Sequence, residues 1–247
     1  MGCDIHDYIE TRDDSGAWTA FGNWSDQAAK YYEEGEKPEE PIVLDTPYKE
    51  RVYGDRNYEL FSILADVRNG YGFAGVDTGD GFVPISAPRG LPEDVTQLVR
   101  DVSESWGVDA HSHSWFTLDE ILEYDWTQTT KRRGWVTLAE YHQWSRWKKS
   151  HGEPPSEWCG SVSGGNTEHL TLAGADKLIE TLGGDFWKAS AALKSDRYAS
   201  HYVPVEWCET YSRCTRGFWT DSMPKLLRLA SKAGGFDRVR LVFWFDN

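Results

Sequence analysis

The two ends of the chain constrain its fold most, because each reads as a β-strand with one apolar face. In both segments apolar side chains recur at every second residue, which is the period of a strand. They are Cys3, Ile5 and Ile9 in CDIHDYIE, and Val239, Leu241, Phe243 and Phe245 in RVRLVFWFD. Helical patterns fill much of the middle, without a regular alternation of strands and helices. The sequence therefore predicts an α+β fold with a mixed or antiparallel sheet that contains both chain termini.

Helix signals between the two ends are mostly caps and apolar stripes. The segment NYELFSILADVRNG carries an apolar face up to Val67, and LPEDVTQLVRDVSESWG predicts a helix with Pro92 in its first turn. Predicted N-caps are Thr117 with Glu120, Thr137 with Glu140, Thr171 and Ser222. We expect a single α+β domain over 1–247, with surface excursions at 33–50, which is charged and Pro-rich, and at 151–169, which is long and irregular.

The charge of the chain narrows the classes of partner. With 26 Lys and Arg against 40 Asp and Glu, its net charge is −14. Such a surface repels a phosphate polymer, so we expect no nucleic-acid polymer as a partner. No apolar run is long enough to predict a membrane span, and no signal peptide is evident. We therefore expect a cytoplasmic protein with reduced cysteines, whose partner is a small molecule, a metal ion or a basic protein.

Two patches combine carboxylates and imidazoles at alternate positions. Asp4 and His6 would point the same way on a strand, about 7 Å apart at a rise of about 3.3 Å per residue. Asp109, His111 and His113 would likewise share one side just before a predicted helix. These groups are good ligands for zinc or manganese, and such an ion activates a bound water for hydrolysis. The five residues are candidate metal ligands, with His6, Asp109 and His113 as candidate catalytic groups. The plainer interpretation is a solvated strand edge and a polar loop before a helix.

Arginine and tryptophan supply candidate ligand-binding groups. Arg56, Arg68 and Arg89 lie near predicted helix ends or loops, where a guanidinium can bind a phosphate, although Arg68 also suits a helix C-terminus structurally. Trp158 lies in the 151–169 loop and could close over a base. Six tryptophans could stack on a nucleobase or sugar, although most are expected in the core: Trp144, Trp147, Trp158, Trp187, Trp207 and Trp219.

Four blocks of the first half are distinctive together: MGCDIH, RNYELFSILADVRNG, SAPRGLPEDV and DAHSHSWFTLDEILEYDW. With these blocks, residues 1–126 resemble hypothetical proteins of bacteriophages and actinobacteria. That resemblance brings no established activity and no site roles. It implies a phage or phage-derived setting, in which the host cytoplasm would be the location and counter-defence against host nucleotide signals a plausible role.

Three functions follow from these observations. The first is a metal-dependent hydrolase of a small phosphorylated or nucleotide-like substrate. The second is a non-catalytic protein that binds and sequesters a nucleotide-like signal through the same arginines and tryptophans. The third is an acidic interaction protein that blocks a basic surface of a host factor. The oligomeric state is not predicted by the sequence.

Overall fold

The computed structural model describes residues 2–29, 42–70, 79–183 and 185–246, which form an α+β protein. The strands are β1 (Ile5–Arg12), β2 (Trp18–Ala20), β3 (His111–Thr117), β4 (Thr129–Thr137), β5 (Glu168–His169), β6 (His201–Thr210) and β7 (Val239–Phe245). The α-helices are α1 (Tyr58–Ala65), α2 (Gln97–Ser105), α3 (Leu118–Glu123), α4 (Leu138–Gln143), α5 (Leu172–Thr181), α6 (Phe186–Leu193), α7 (Tyr211–Cys214) and α8 (Met223–Ala233).

The chain divides into two compact units, each with its own sheet. The first comprises Met1–Asn69, Phe82–Trp126 and Cys214–Asn247, and the second comprises Gly70–Gly81 and Thr127–Arg213. The single domain expected over 1–247 stays a prediction. Among the described residues, no helix combines the length and apolarity that a membrane crossing requires.

The sheet of the first unit joins the two chain ends, as the terminal alternation predicts. Its strand order is β2-β1-β7-β3, and β1 runs antiparallel to β7 with Ile5 opposite Phe245 and Thr11 opposite Val239. Every residue of β7 is buried. Since the side chains on both faces of β7 are removed from water, both faces contribute hydrophobic burial, and β7 is the centre of this core.

Helices α1 and α2 cover the sheet of the first unit. Helix α1 begins at Asn57, whose side chain accepts from Leu60 N, and all its residues from Leu60 to Ala65 are buried. The helix ends at Asp66 in the left-handed region (φ 59°), so Val67 is buried outside the helix rather than on its stripe. Helix α2 begins after Thr96, later than its Pro92 signal indicates.

A buried ion pair fixes the segment that leads into α2. Arg240 Nε donates to Glu10 Oε2 at 2.7 Å, and both side chains are almost completely buried. The guanidinium also donates to Asp94 Oδ1 at 2.6 Å, while Glu10 Oε1 accepts from Thr96 N at 2.7 Å. These bonds satisfy the buried charges and tie β1 and β7 to the start of α2.

The second unit is built on the sheet β4-β6-β5. Strands β4 and β6 pair antiparallel over the whole length of β4, from Thr129 opposite Thr210 to Thr137 opposite Tyr202. One face is apolar and packs against helices α4, α5 and α6. Its core residues are Val136, Leu138, Tyr141, Trp144, Ala175, Leu193, Val203, Val205 and Trp207.

The predicted caps form in different ways. Thr117 and Glu120 make a reciprocal capping box at α3, and Thr137 and Thr171 each accept from the backbone N–H three residues on. Ser222 makes no cap bond, because a π-helical turn, Phe218–Ser222, runs directly into α8. Its hydroxyl donates to the carbonyl of Val52 instead.

The two predicted excursions are only partly described. Residues 33–41 of the first lie outside the described residues, and the rest ends in a short 3-10 helix, Tyr48–Glu50. Segment 151–169 is largely exposed and irregular. It is attached to β4 by an antiparallel bridge between Cys159 and Trp135, and it ends in β5.

Candidate functional site

His6 is buried on β1 between a cationic and an acidic side chain. Arg51 Nη1 donates to His6 Nδ1 over 3.0 Å, since a guanidinium has no acceptor. The proton of the neutral ring is then on Nε2, which donates to Asp246 Oδ2 at 3.2 Å. Burial lowers the pKa of His6, which favours this neutral form. Both ring nitrogens are engaged, so neither is left to ligate a metal ion.

Asp4 is held by an arginine that the sequence offered as a separate ligand-binding group. Arg56 donates from Nε and Nη2 to the two carboxylate oxygens of Asp4, at 2.8 and 2.6 Å. This bidentate hydrogen bonding lowers the pKa of Asp4. The pair is half-exposed. In this arrangement Arg56 neutralises the carboxylate that the metal hypothesis requires.

The other patch does not have the alternation that its sequence predicts. Asp109 ends a 3-10 helix and is exposed, outside β3. The register with β7 shifts between His111 and Ser114, and Ser112 has a φ of 53°. This β-bulge adds one residue to β3, and an extra residue reverses the alternation of side chains.

The bulge turns His111 and His113 to opposite faces of the sheet. His111 stacks with Phe245 at 6.1 Å between centroids, whereas His113 stacks with Trp244 at 5.6 Å. Neighbouring residues on β7 point to opposite faces. The expectation that both imidazoles of the His-x-His pair reach one ion from the same side is therefore wrong.

His6 and His113 do share a face, with an indole between their strands. His6 lies opposite Trp244 on β1 and stacks with it at 6.0 Å, while His113 contacts the same ring from β3. Burial lowers the pKa of His113, whose Nε2 is 2.9 Å from the buried Ser103 hydroxyl. The two patches thus come near one another on either side of β7, but their imidazoles do not meet.

No group of three or more His, Cys, Asp or Glu side chains within the described ranges is arranged to hold a metal ion. The predicted ligands have other partners: Asp4 has Arg56, His6 has Arg51, and His113 has Ser103. As placed, they do not form one ligand set. The zinc or manganese site stays a prediction that would require these side chains to leave their present partners.

The remaining predicted ligand-binding residues are dispersed. Arg89 Nη1 donates to Glu120 Oε1 at 2.8 Å, and its guanidinium packs on the ring of Phe116, so it ties a loop to α3. Arg68 adopts a positive φ of 58° and lies over the Tyr58 ring. Trp158 belongs to the second unit, where it packs on Trp207 and over Arg132.

The sequence reasoning overlooked Asp7, which lies on the apolar face of β1 with Ile5 and Ile9. Asp7 is 1% exposed, and its Oδ2 accepts from the N–H groups of Val52 and Tyr53 at 3.1 and 3.2 Å. Burial raises its pKa from 3.8 to about 7. A carboxyl at an apolar position of an alternating strand was the available signal.

An aromatic groove in the second unit is a candidate for ligand binding. It has a volume of about 600 Å³ and lies between α6 and the π-helical turn Trp144–Lys148 that follows α4. Trp147 and Trp187 each meet the ring of Phe186 at nearly a right angle, at 5.9 and 5.2 Å between centroids. Single π-helical turns are frequent at functional sites.

The sequence of α6 explains why the indole of Trp187 is exposed to solvent. Asp185 caps the helix by accepting from the N–H groups of Trp187 and Lys188. Ala189 and Leu193, one turn apart, form the buried stripe, so Trp187 is left 77% exposed. Trp147 is 58% exposed. Both tryptophans were among those predicted to stack on a ring, and they lie at one groove.

The groove is locally cationic in an acidic chain. Its charged lining residues are Lys148 and Lys194, and no carboxylate lines it among the described residues. Lys194 follows the last turn of α6. Since salt screens charges beyond about 8 Å, the distant acidic surface does little to offset two nearby ammonium groups.

Comparisons with known proteins identify no relative of this chain. No protein-family model, no curated protein and no solved structure matches the chain.

Proposed function

We propose that this chain is a binding protein that captures a nucleotide-like ligand in the aromatic groove without turning it over. The observation that carries the proposal is the pairing of exposed indoles with ammonium groups at one concave surface. Trp147 and Trp187 offer faces and edges for a base, and Lys148 and Lys194 offer charge for a phosphate. The volume of about 600 Å³ is within the range of small-ligand sites.

The energetics of such a groove suit a mononucleotide. Stacking of a base on an aromatic side chain contributes about 1–3 kcal/mol by alanine substitution. An aromatic ring that remains exposed in the free protein is also a favoured site for burial in a complex. The lysines add attraction to an anion, and this attraction should weaken as salt increases.

The groove favours capture over catalysis. Hydrolysis of a phosphoester needs a metal-activated water or a general base near the phosphate. The described residues that line the groove include no carboxylate and no imidazole. The metal-dependent hydrolase, the acidic interaction protein and the phage counter-defence role stay predictions.

The test is calorimetric titration of the full chain with adenosine monophosphate, with adenosine and inorganic phosphate as separate probes. We expect the nucleotide to bind more tightly than either fragment. Trp187→Ala and Lys194→Gln should each weaken binding about tenfold, in line with one stacking contact or one charge-assisted contact. Lys188→Gln is the matched control, since Lys188 is an exposed lysine of the same helix that does not line the groove.

The fate of the ligand separates capture from hydrolysis. After incubation and denaturation, mass spectrometry should recover the nucleotide intact, whereas hydrolysis products would favour the hydrolase. Absence of binding by the nucleotide, or equal affinities of the wild type and the two groove variants, would refute the proposal.

A further inference from the structure

A second pocket of the second unit is lined by acidic groups of α5 and the N-cap of α6 and by basic groups of the segment that follows α4. It has a volume of about 550 Å³ and lies between α5 and the segment that runs from α4 into the 3-10 helix Lys149–His151. The start of α6 closes one side with Phe186 and Asp185, and the Asp185 carboxylate already accepts from the N–H groups of Trp187 and Lys188. The Phe186 ring also contributes to the aromatic groove, so the two cavities are neighbours.

The acidic wall is one face of α5. Asp176 and Glu180 are one helical turn apart, and both line the pocket. The Tyr141 hydroxyl donates to Asp176 Oδ1 at 2.9 Å, and burial together with this bond raises the pKa of Tyr141 to about 12. The bond holds the Asp176 carboxylate at the pocket. Like charges one turn apart on a helix repel each other, so this wall favours an incoming cation.

The basic wall is formed by the other segment. Arg146 and Lys149, three residues apart, line the pocket, and the Arg146 guanidinium lies 5.9 Å from the centroid of Phe186. His142 Nε2 donates to the Phe186 carbonyl at 3.3 Å, and the two rings stack at 4.7 Å between centroids. These two cations also repel each other, so this wall favours an incoming anion.

The opposite charges do not neutralise each other directly. Within the part of the chain that the structure describes, no ion pair of 4.0 Å or less joins the lining carboxylates, those of Asp176, Glu180 and Asp185, to Arg146 or Lys149. The space between them is bordered by apolar groups, Ile179 and Ala189. A ligand that carries both charges and an apolar side chain would satisfy both walls and cover this apolar surface.

We propose that this pocket binds an apolar α-amino acid as its zwitterion. The ammonium group lies against Asp176 and Glu180, the carboxylate lies against Arg146 and Lys149, and the side chain packs on Phe186. Because the four charged residues are solvent-exposed, each contact contributes modestly, and a dissociation constant of about 1 mM is expected. The inference stands on residues other than the lysines and exposed tryptophans of the aromatic groove.

The test is a ligand-observed NMR titration of the full chain with L-phenylalanine. N-acetyl-L-phenylalanine keeps only the anion, and L-phenylalaninamide keeps only the cation, so both should bind about tenfold more weakly or not detectably. Glu180→Gln and Arg146→Gln should each weaken binding of L-phenylalanine several-fold. Lys177→Gln changes an exposed charge of α5 that does not line the pocket, and it should leave binding unchanged.

The result that overturns the inference is no saturable binding of L-phenylalanine, or equal binding of all three compounds. Equal affinity of the wild type and the two pocket variants would also overturn it. Trp187→Ala separates this proposal from the nucleotide proposal, since it should weaken nucleotide capture about tenfold while leaving binding of the amino acid unchanged. Circular dichroism of each variant confirms that these surface changes leave the fold intact.

Discussion

Replacing Asp7 by Asn should change how the stability of the first unit depends on pH. Asp7 is buried beneath β1, and its pKa rises from 3.8 to about 7 because burial penalises the carboxylate. Bonds from the Val52 and Tyr53 N–H groups and the charges of Arg51 and Lys225 act in the opposite direction but are smaller. An Asn side chain can accept the same two backbone bonds and carries no charge at any pH.

The sign follows from proton binding. Between pH 4 and pH 7 the folded state holds a proton on Asp7 that the unfolded state has lost. The wild type therefore loses stability as pH rises through this window. The difference between the two pKa values corresponds to about 4 kcal/mol at about 1.4 kcal/mol per tenfold change, and roughly 2–3 kcal/mol of it falls between pH 5 and pH 8.

The assay is urea denaturation of the wild type and Asp7→Asn at a series of pH values and constant ionic strength. Hydrogen exchange of β1 and β7 assigns the effect to the first unit, with β4 and β6 as internal reference. The stability of the variant relative to the wild type should increase by about 2–3 kcal/mol from pH 5 to pH 8. Asp101→Asn, at an exposed position of α2, should show no such trend. A constant difference between Asp7→Asn and the wild type would refute the argument.

Three further substitutions test other parts of the fold. Glu10→Gln should destabilise the first unit by about 3 kcal/mol in the same denaturation assay, because it leaves the buried Arg240 charge without its full counter-charge. Gly79→Ala should lower the melting temperature, since Gly79 has a φ of 80° and its Cβ would clash with the carbonyl of Lys131; an unchanged melting temperature would contradict that placement. Arg56→Gln removes a half-exposed ion pair and should destabilise the protein far less than Glu10→Gln, so a loss comparable to that of Glu10→Gln would show that the pair is far more important than its exposure implies.

Much of the fold could be predicted from local sequence patterns. The α+β class and the sheet that contains both termini are confirmed by the pairing of β1 with β7. The strand period at each end and the helix signals between them are properties of a few neighbouring residues, which the chain carries wherever it folds. The cap at Thr117 formed for the same reason, since its partner is three residues away.

The candidate sites could be predicted less well from local sequence patterns. Trp147 and Trp187 were flagged as possible stacking residues, but their meeting at Phe186 depends on how α6 packs against the turn after α4. Lys148 and Lys194 have no local motif. The acidic and basic residues of the second pocket also lie on separate segments of the chain. They line one cavity only after these segments have packed together.

By itself the sequence determined which segments become strands and helices and which face of each is apolar, because those choices rest on contacts within a few residues. The tertiary structure alone decided that a bulge turns His111 and His113 to opposite faces of the sheet. It alone also decided that Arg51, 45 positions along the chain, donates a hydrogen bond to His6. In the first unit, strand register and long-range pairing are set by the packing of its elements around β7. A one-residue shift there reverses every side chain, and no local pattern records it.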